Sequence, residues 1–165
     1  YARSLGWSAQ NSGELIGIMT IFQVIGALGA PALSSNRLDR RPWLFFAVGI
    51  QIIGFMGLLL MPKGMLILWV AMIGCGLGAF FSLTLTVALD HLSSASLAGA
   101  LTAFVQGIGF IISAIIPYIA GVLREWTGSF QASWLMLIVT LIGMLMVTIK
   151  FAPAGYAKAI NLPNI

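Results

Sequence analysis

The sequence predicts an all-α membrane protein, a bundle of five transmembrane helices. Three observations predict it. Five apolar stretches, at about residues 13–33, 43–61, 65–89, 97–123 and 132–151, fill most of the 165 residues. None of them carries a charged side chain in its middle. Runs such as Ile50–Met61 and Trp134–Val147 lack the alternation of a barrel strand. A helix rises about 1.5 Å per residue, so about 20 apolar residues match a hydrocarbon core about 30 Å thick. The chain is 60% apolar and 7% charged, with a mean hydropathy of +1.05. Soluble domains carry about 25% charged residues, which excludes a water-soluble globule. Lipid cannot satisfy backbone amides, so only helices or closed barrels cross it, and the missing alternation leaves helices.

The first span carries Gly13, Gly17, Thr20 and Gln23, then a Gly/Ala-rich end at Gly26, Gly29 and Pro31. Four more spans follow it, which argues against a cleaved signal segment. The second has one interior polar side chain, Gln51, expected to pack against a neighbour. In the third, Gly74, Gly78, Ser82 and Thr86 recur every four residues and Asp90 continues the series. Small residues at that spacing share a helix face and let a neighbouring backbone approach, the ordinary packing device of membrane bundles. In the fourth, Thr102, Gln106, Gly109, Ser113 and Pro117 draw a polar and small stripe along an otherwise apolar helix. Pro117 removes a backbone donor and is expected to bend the helix. The fifth is Leu, Met, Val and Ile with Thr140 and Gly143. Spans one, three and four are therefore expected to form an inner layer, with two and five facing lipid nearly all round.

Connectors after spans one, three and five hold Arg37, Arg40, Arg41, Lys150 and Lys158, against Arg3, Lys63 and Arg124 on the other side. That asymmetry predicts the first group to be cytoplasmic, the N-terminus outside and the C-terminus inside. Trp7, Trp43, Trp69 and Trp126 stand near the predicted interfaces, where amphipathic rings prefer to sit. The net charge of +4 is thereby a topology signal and not a nucleic-acid footprint. Asp90 closes the third span, where the negative end of the helix dipole disfavours a carboxylate. A cationic partner among Arg37, Arg40 and Arg41 is expected, and such a pair would hold one state of a gate closed. The competing reading is a solvated acid at a helix end. Asp39 sits inside the basic cluster and is expected to be neutralised there. The Ser93–Ser96 stretch supplies N-caps for the fourth span.

Chemistry by catalysis is not expected. The chain has one His, one Cys, no phosphate-binding Gly-Lys loop and no membrane-centre carboxylate pair. His91 neighbours Asp90 without a second ligand, so no metal and no cofactor are expected. Buried amides carry the remaining interest. Gln23 and Gln106 cost a few kcal/mol if left unpaired in lipid, so each must face protein or water. Interhelical hydrogen bonding and the lining of a polar cavity both satisfy that requirement.

The residues also resemble a known family. The runs Ser8-Ala9-Gln10, Ser12-Gly13, Gly17 through Thr20, Asp39-Arg40-Arg41, Ala88-Leu89-Asp90-His91, Ala103-Phe104, Gln106 through Ile112, Gly121 through Arg124 and Phe151-Ala152-Pro153 follow one another from about residue 8 to 153. Together they resemble the C-terminal half of a major facilitator superfamily transporter of the cyanate permease family. The resemblance implies that the five spans are helices eight to twelve of twelve. Helices eight, ten and eleven would then border the pathway, with nine and twelve outside. It implies alternating access for a small anion such as cyanate at the bacterial inner membrane. The lipid bilayer and an N-terminal half of the transporter would be the partners, and no nucleic acid. The chain begins at Tyr1 and not at Met, and five spans is an odd count for transporters built from repeats of three, so one further span is expected upstream. The substrate-binding candidates are Gln106, Thr102, Gln23 and Gly109. The gating candidates are Asp90, Asp39, Arg40 and Arg41, although no glycine separates acid from bases as in the superfamily's loop signature. Competing readings are an exporter of the same fold for a nitroimidazole or drug-like molecule, a non-transporting membrane scaffold, and a channel. No charged ring or filter-like loop supports the last.

Overall fold

A computed structural model describes residues 1–37, 39–61, 63–90 and 94–152. A short 3-10 helix, Ala2–Leu5, leads into α1 (Ala9–Ser34), α2 (Arg41–Leu60), α3 (Leu66–Asp90), α4 (Ala95–Thr127) and α5 (Gln131–Thr148). All five are long and apolar enough to cross a membrane, and no strand occurs among the described residues. The boundaries follow local chemistry. Ser8 caps α1, its side chain accepting the Asn11 N–H at 3.1 Å. Pro42 stands in the first turn of α2, where a missing N–H costs nothing. Gly128 ends α4 in the left-handed region at φ 68°. Ser94 is the N-cap of α4 without a side-chain cap bond; Ser93, His91 and Lys158 lie outside the described residues. α4 runs from Ala95 to Thr127 through Pro117 as one helix.

α3 is the hub, packing against α1, α2 and α4, while α2 also packs against α5. Against α1 the approach is backbone to backbone. A Cβ on Gly26 would meet the Cys75 carbonyl; one on Gly74 would meet that of Met19; one on Gly78 would meet that of Gln23. The four-residue glycine stripe of α3 is thus a packing face, as small residues at that spacing predict.

The second span departs from expectation. It does not face lipid nearly all round: Leu44, Ala47, Val48, Gln51, Gly54, Gly57 and Leu58 are buried. A Cβ on Gly54 would lie 2.6 Å from Ile73 Cγ1, and one on Gly57 would enter the Trp69 indole. A Cβ on Gly76 of α3 would lie 2.6 Å from the Ala47 carbonyl oxygen. Alanine and glycine serve a membrane interface as well as polar side chains do, and they mark no contrast in an apolar helix. Gln51 packs as expected, its amide donating to the Ala47 carbonyl at 3.1 Å. α5 is likewise packed on one side, burying Ser133, Ile138, Leu141 and Thr148. In contrast, α4 contributes Ala98 to the buried core among the described residues and leaves Phe104, Ile111 and Tyr118 exposed.

Both ends of the bundle are tied. At one end the Tyr1 hydroxyl donates to the Leu58 carbonyl at 2.9 Å. Its ring stands edge-on to Phe130 and Trp134, 5.4 and 5.1 Å between centroids. The Arg124 guanidinium lies 4.7 Å above the Phe130 ring. Burial pushes the Tyr1 phenol up from its ordinary pKa. The other end is gathered by arginines.

Candidate functional site

The chain enters α2 through Asp39, Arg40 and Arg41, and each of the three is held. Arg40, the N-cap of α2, is mostly buried, with its side chain 12% exposed. Its Nε donates to Asp90 Oδ2 at 2.8 Å. Its Nη1 donates to the Ser34 carbonyl at 2.9 Å and to Ser34 Oγ at 3.0 Å. The Arg41 side chain forks onto Asp39, with Nη2 to Oδ2 at 2.7 Å and Nε to Oδ1 at 3.0 Å. Its Nη1 reaches the Ile149 carbonyl at 3.4 Å. The hydrogen bonds that Arg41 donates hold the Asp39 carboxyl below the usual carboxylate range, outweighing the small opposing effect of burial.

The physical logic is the helix dipole. Three helix C-termini, at Ser34, Asp90 and Ile149, bring the negative ends of their dipoles together. Two guanidinium groups at the start of α2 answer them. The expected cationic partner of Asp90 is Arg40, and the four residues singled out form two pairs in one cluster. Ser34 is the member that sequence reasoning missed. A serine near a helix end carries no distinguishing pattern, and its contact with Arg40 depends on the turn between them.

Thr102, Gln106 and Gly109 occupy successive turns of α4 and are each half-buried. Thr20, Thr86, Thr127, Thr140 and Thr148 all donate to the carbonyl four residues back. Thr102 departs from them: its Oγ1 is buried without a hydrogen-bond partner among the described residues. An unpaired buried hydroxyl costs about 1–3 kcal/mol. A Cβ on Gly109 would meet nothing within 4 Å, so that turn adjoins open space. Gln23 lies on a different helix, half-buried on α1, with its carbonyl against Gly78. No hydrogen bond joins Gln23 to the α4 residues among the described residues.

Two cavities, of about 530 and 340 Å³, lie at the opposite end beside Tyr1, Leu58 and Trp134, and none of the singled-out residues lines them. Among the described residues no group of three or more His, Cys, Asp or Glu side chains is placed to hold a metal.

Comparison with known proteins supplies the context. The chain is 41% identical over 154 residues to the cyanate transport protein CynX of Escherichia coli (strain K12), covering 93% of this chain and 40% of that protein. It is 30% identical over 146 residues to the uncharacterized transporter YycB of Bacillus subtilis (strain 168), covering 88% of this chain and 35% of the relative. It is 29% identical over 128 residues to the 2-nitroimidazole transporter of Escherichia coli (strain K12), covering 78% of this chain and 32% of the relative. The chain therefore spans about two fifths or less of the length of these relatives. No protein-family model matches it, and no solved structure matches it. The relatives are named as transport proteins and not as enzymes. Five membrane-length helices together with these matches mark the chain as a multi-pass membrane protein similar to part of named transport proteins, the cyanate transport protein of Escherichia coli among them.

Proposed function

We propose that this chain is the C-terminal half of a secondary transporter of the bacterial inner membrane that takes up cyanate or a similar small anion by alternating access. The observation that carries the reading is the 41% identity to a cyanate transport protein across 93% of the chain. The greater length of that relative supports a second helical half as partner, the two rocking about a site at the midplane. No Lys or Arg stands mid-helix in this chain, so on this side of the pathway the anion meets neutral donors. The Thr102 hydroxyl and the Gln106 amide, one turn apart, are assigned that role, with Gly109 leaving room and Gln23 contributing from α1. Neutral donors suit a substrate that must leave again, since a fixed cation would hold a desolvated anion too tightly. The Arg40–Asp90 and Arg41–Asp39 pairs are assigned to gating. They fasten the cytoplasmic ends of the helices in one state and release them in the other.

The test is uptake of labelled cyanate by the full-length protein. Gln106→Ala is expected to lower the rate by roughly tenfold, the loss of one hydrogen bond to a charged ligand, at unchanged membrane abundance. Unchanged transport kinetics would remove Gln106 from the pathway. A second reading, export of a nitroimidazole-like molecule, is favoured by the 29% identity to a 2-nitroimidazole transporter. Counterflow with labelled cyanate and labelled 2-nitroimidazole in the same vesicles separates the two.

A further inference from the structure

Ser34 is fully buried, and it is a serine at the last position of α1. It offers Arg40 two acceptors at once, its carbonyl at 2.9 Å and its Oγ at 3.0 Å, both taking the same Nη1. Its own hydroxyl proton goes to the Pro31 carbonyl at 3.2 Å, which leaves an Oγ lone pair free for the guanidinium. The guanidinium is planar, so fixing Nη1 fixes the direction of Nε as well. That direction meets Asp90 Oδ2 at 2.8 Å. Arg40 is thus held from behind by α1 before it reaches α3. Asp90 is the more exposed partner, its side chain 37% accessible against 12% for Arg40. An acid so open to water would otherwise gain little from a mobile arginine.

We infer that Ser34 is the positioning residue of the Arg40–Asp90 pair: its side chain aims the guanidinium, so that the bridge from the start of α2 to the end of α3 forms without ordering a free arginine each time. The inference rests on the gating role proposed above, and it names the residue through which α1 sets the strength of that closure. Without the hydroxyl, the Ser34 carbonyl alone holds Nη1 and lets the plane rotate.

The experiment uses the full-length transporter, free of other cysteines, carrying Ser35→Cys as a reporter beside the cluster. Labelling rate by a membrane-impermeant maleimide and thermal unfolding are measured for Ser34→Ala, Asp90→Asn and the double variant. Ser34→Ala is expected to change the labelling rate roughly threefold in the same direction as Asp90→Asn, the size a partly exposed ion pair supports. In the double variant the change should not exceed that of Asp90→Asn alone, and the two losses in Tm should fail to add. A Ser34→Ala rate equal to the parent's while Asp90→Asn alters it would overturn the inference, as would effects that multiply in the double variant. If neither variant moves the labelling rate, the gating reading fails. The Tm cycle then still decides the contact: non-additive losses keep Ser34 as the residue that aims Arg40, and additive losses reject it.

Discussion

Asp39 shows how much of this molecule is decided by single charges. It stands two residues before Arg41, close enough to accept both a backbone N–H at 3.0 Å and the side-chain fork. A guanidinium at the first turn of α2 opposes the positive end of the helix dipole, and Asp39 offsets it. Because Arg41 lowers the folded-state pKa of Asp39, its contribution to stability is complete above the ordinary carboxylate range. It is lost as pH falls through the lowered folded value. Asp39→Asn should therefore reduce Tm at neutral pH by roughly a degree or two at most, since the pair is exposed. The gap between variant and parent should close on acidification, which a pH series of thermal melts would record. A cationic partner for Asp90 was one of two readings open in the sequence, the other being a solvated acid, and the structure shows the pair. Which arginine it takes was not legible, since that depends on where the α1–α2 turn places Arg40.

Among elements, α3 is the one whose sequence announced its role. Gly74 and Gly78 accept the carbonyls of Met19 and Gln23, and no larger residue fits there without moving α1. Gly78→Leu should cost at least about 3 kcal/mol, beyond ordinary overpacking because the obstacle is backbone. Loss of folded protein in detergent at a lower temperature would register it. Gly109→Leu, facing open space in this chain, should cost less than about 1 kcal/mol in the same assay. α2 was the element read least well. Its packed face is written in Ala47, Gly54 and Gly57, which carry no hydrophobic or polar contrast with the rest of an apolar helix. Periodicity signals buried faces where the other face must be polar, and lipid removes that requirement.

At the scale of the whole molecule, five helices and their approximate limits followed from hydropathy alone, because lipid punishes any other arrangement of the backbone. Their order of packing did not, since apolar surface looks the same against lipid as against another helix. The bundle is accordingly uneven: α3 is enclosed and α4 is attached along a narrow strip. In nanodiscs holding this chain alone, a cysteine at Leu83, which is fully buried, should resist a membrane-permeant maleimide. Cysteines at Ile111 and Tyr118, 69% and 73% exposed, should react readily. Equal reactivity at all three positions would contradict the enclosed place of α3.

The meeting of α1 and α3 has a mechanical corollary. Where main chain abuts main chain there is no compliant layer of rotamers to absorb shear, so the two rods translate as a single beam. A displacement of one rod is felt by the other along the stretch where Gly26, Gly74 and Gly78 bring their backbones together. The loosely held α4 lies outside that beam and is free of its constraint.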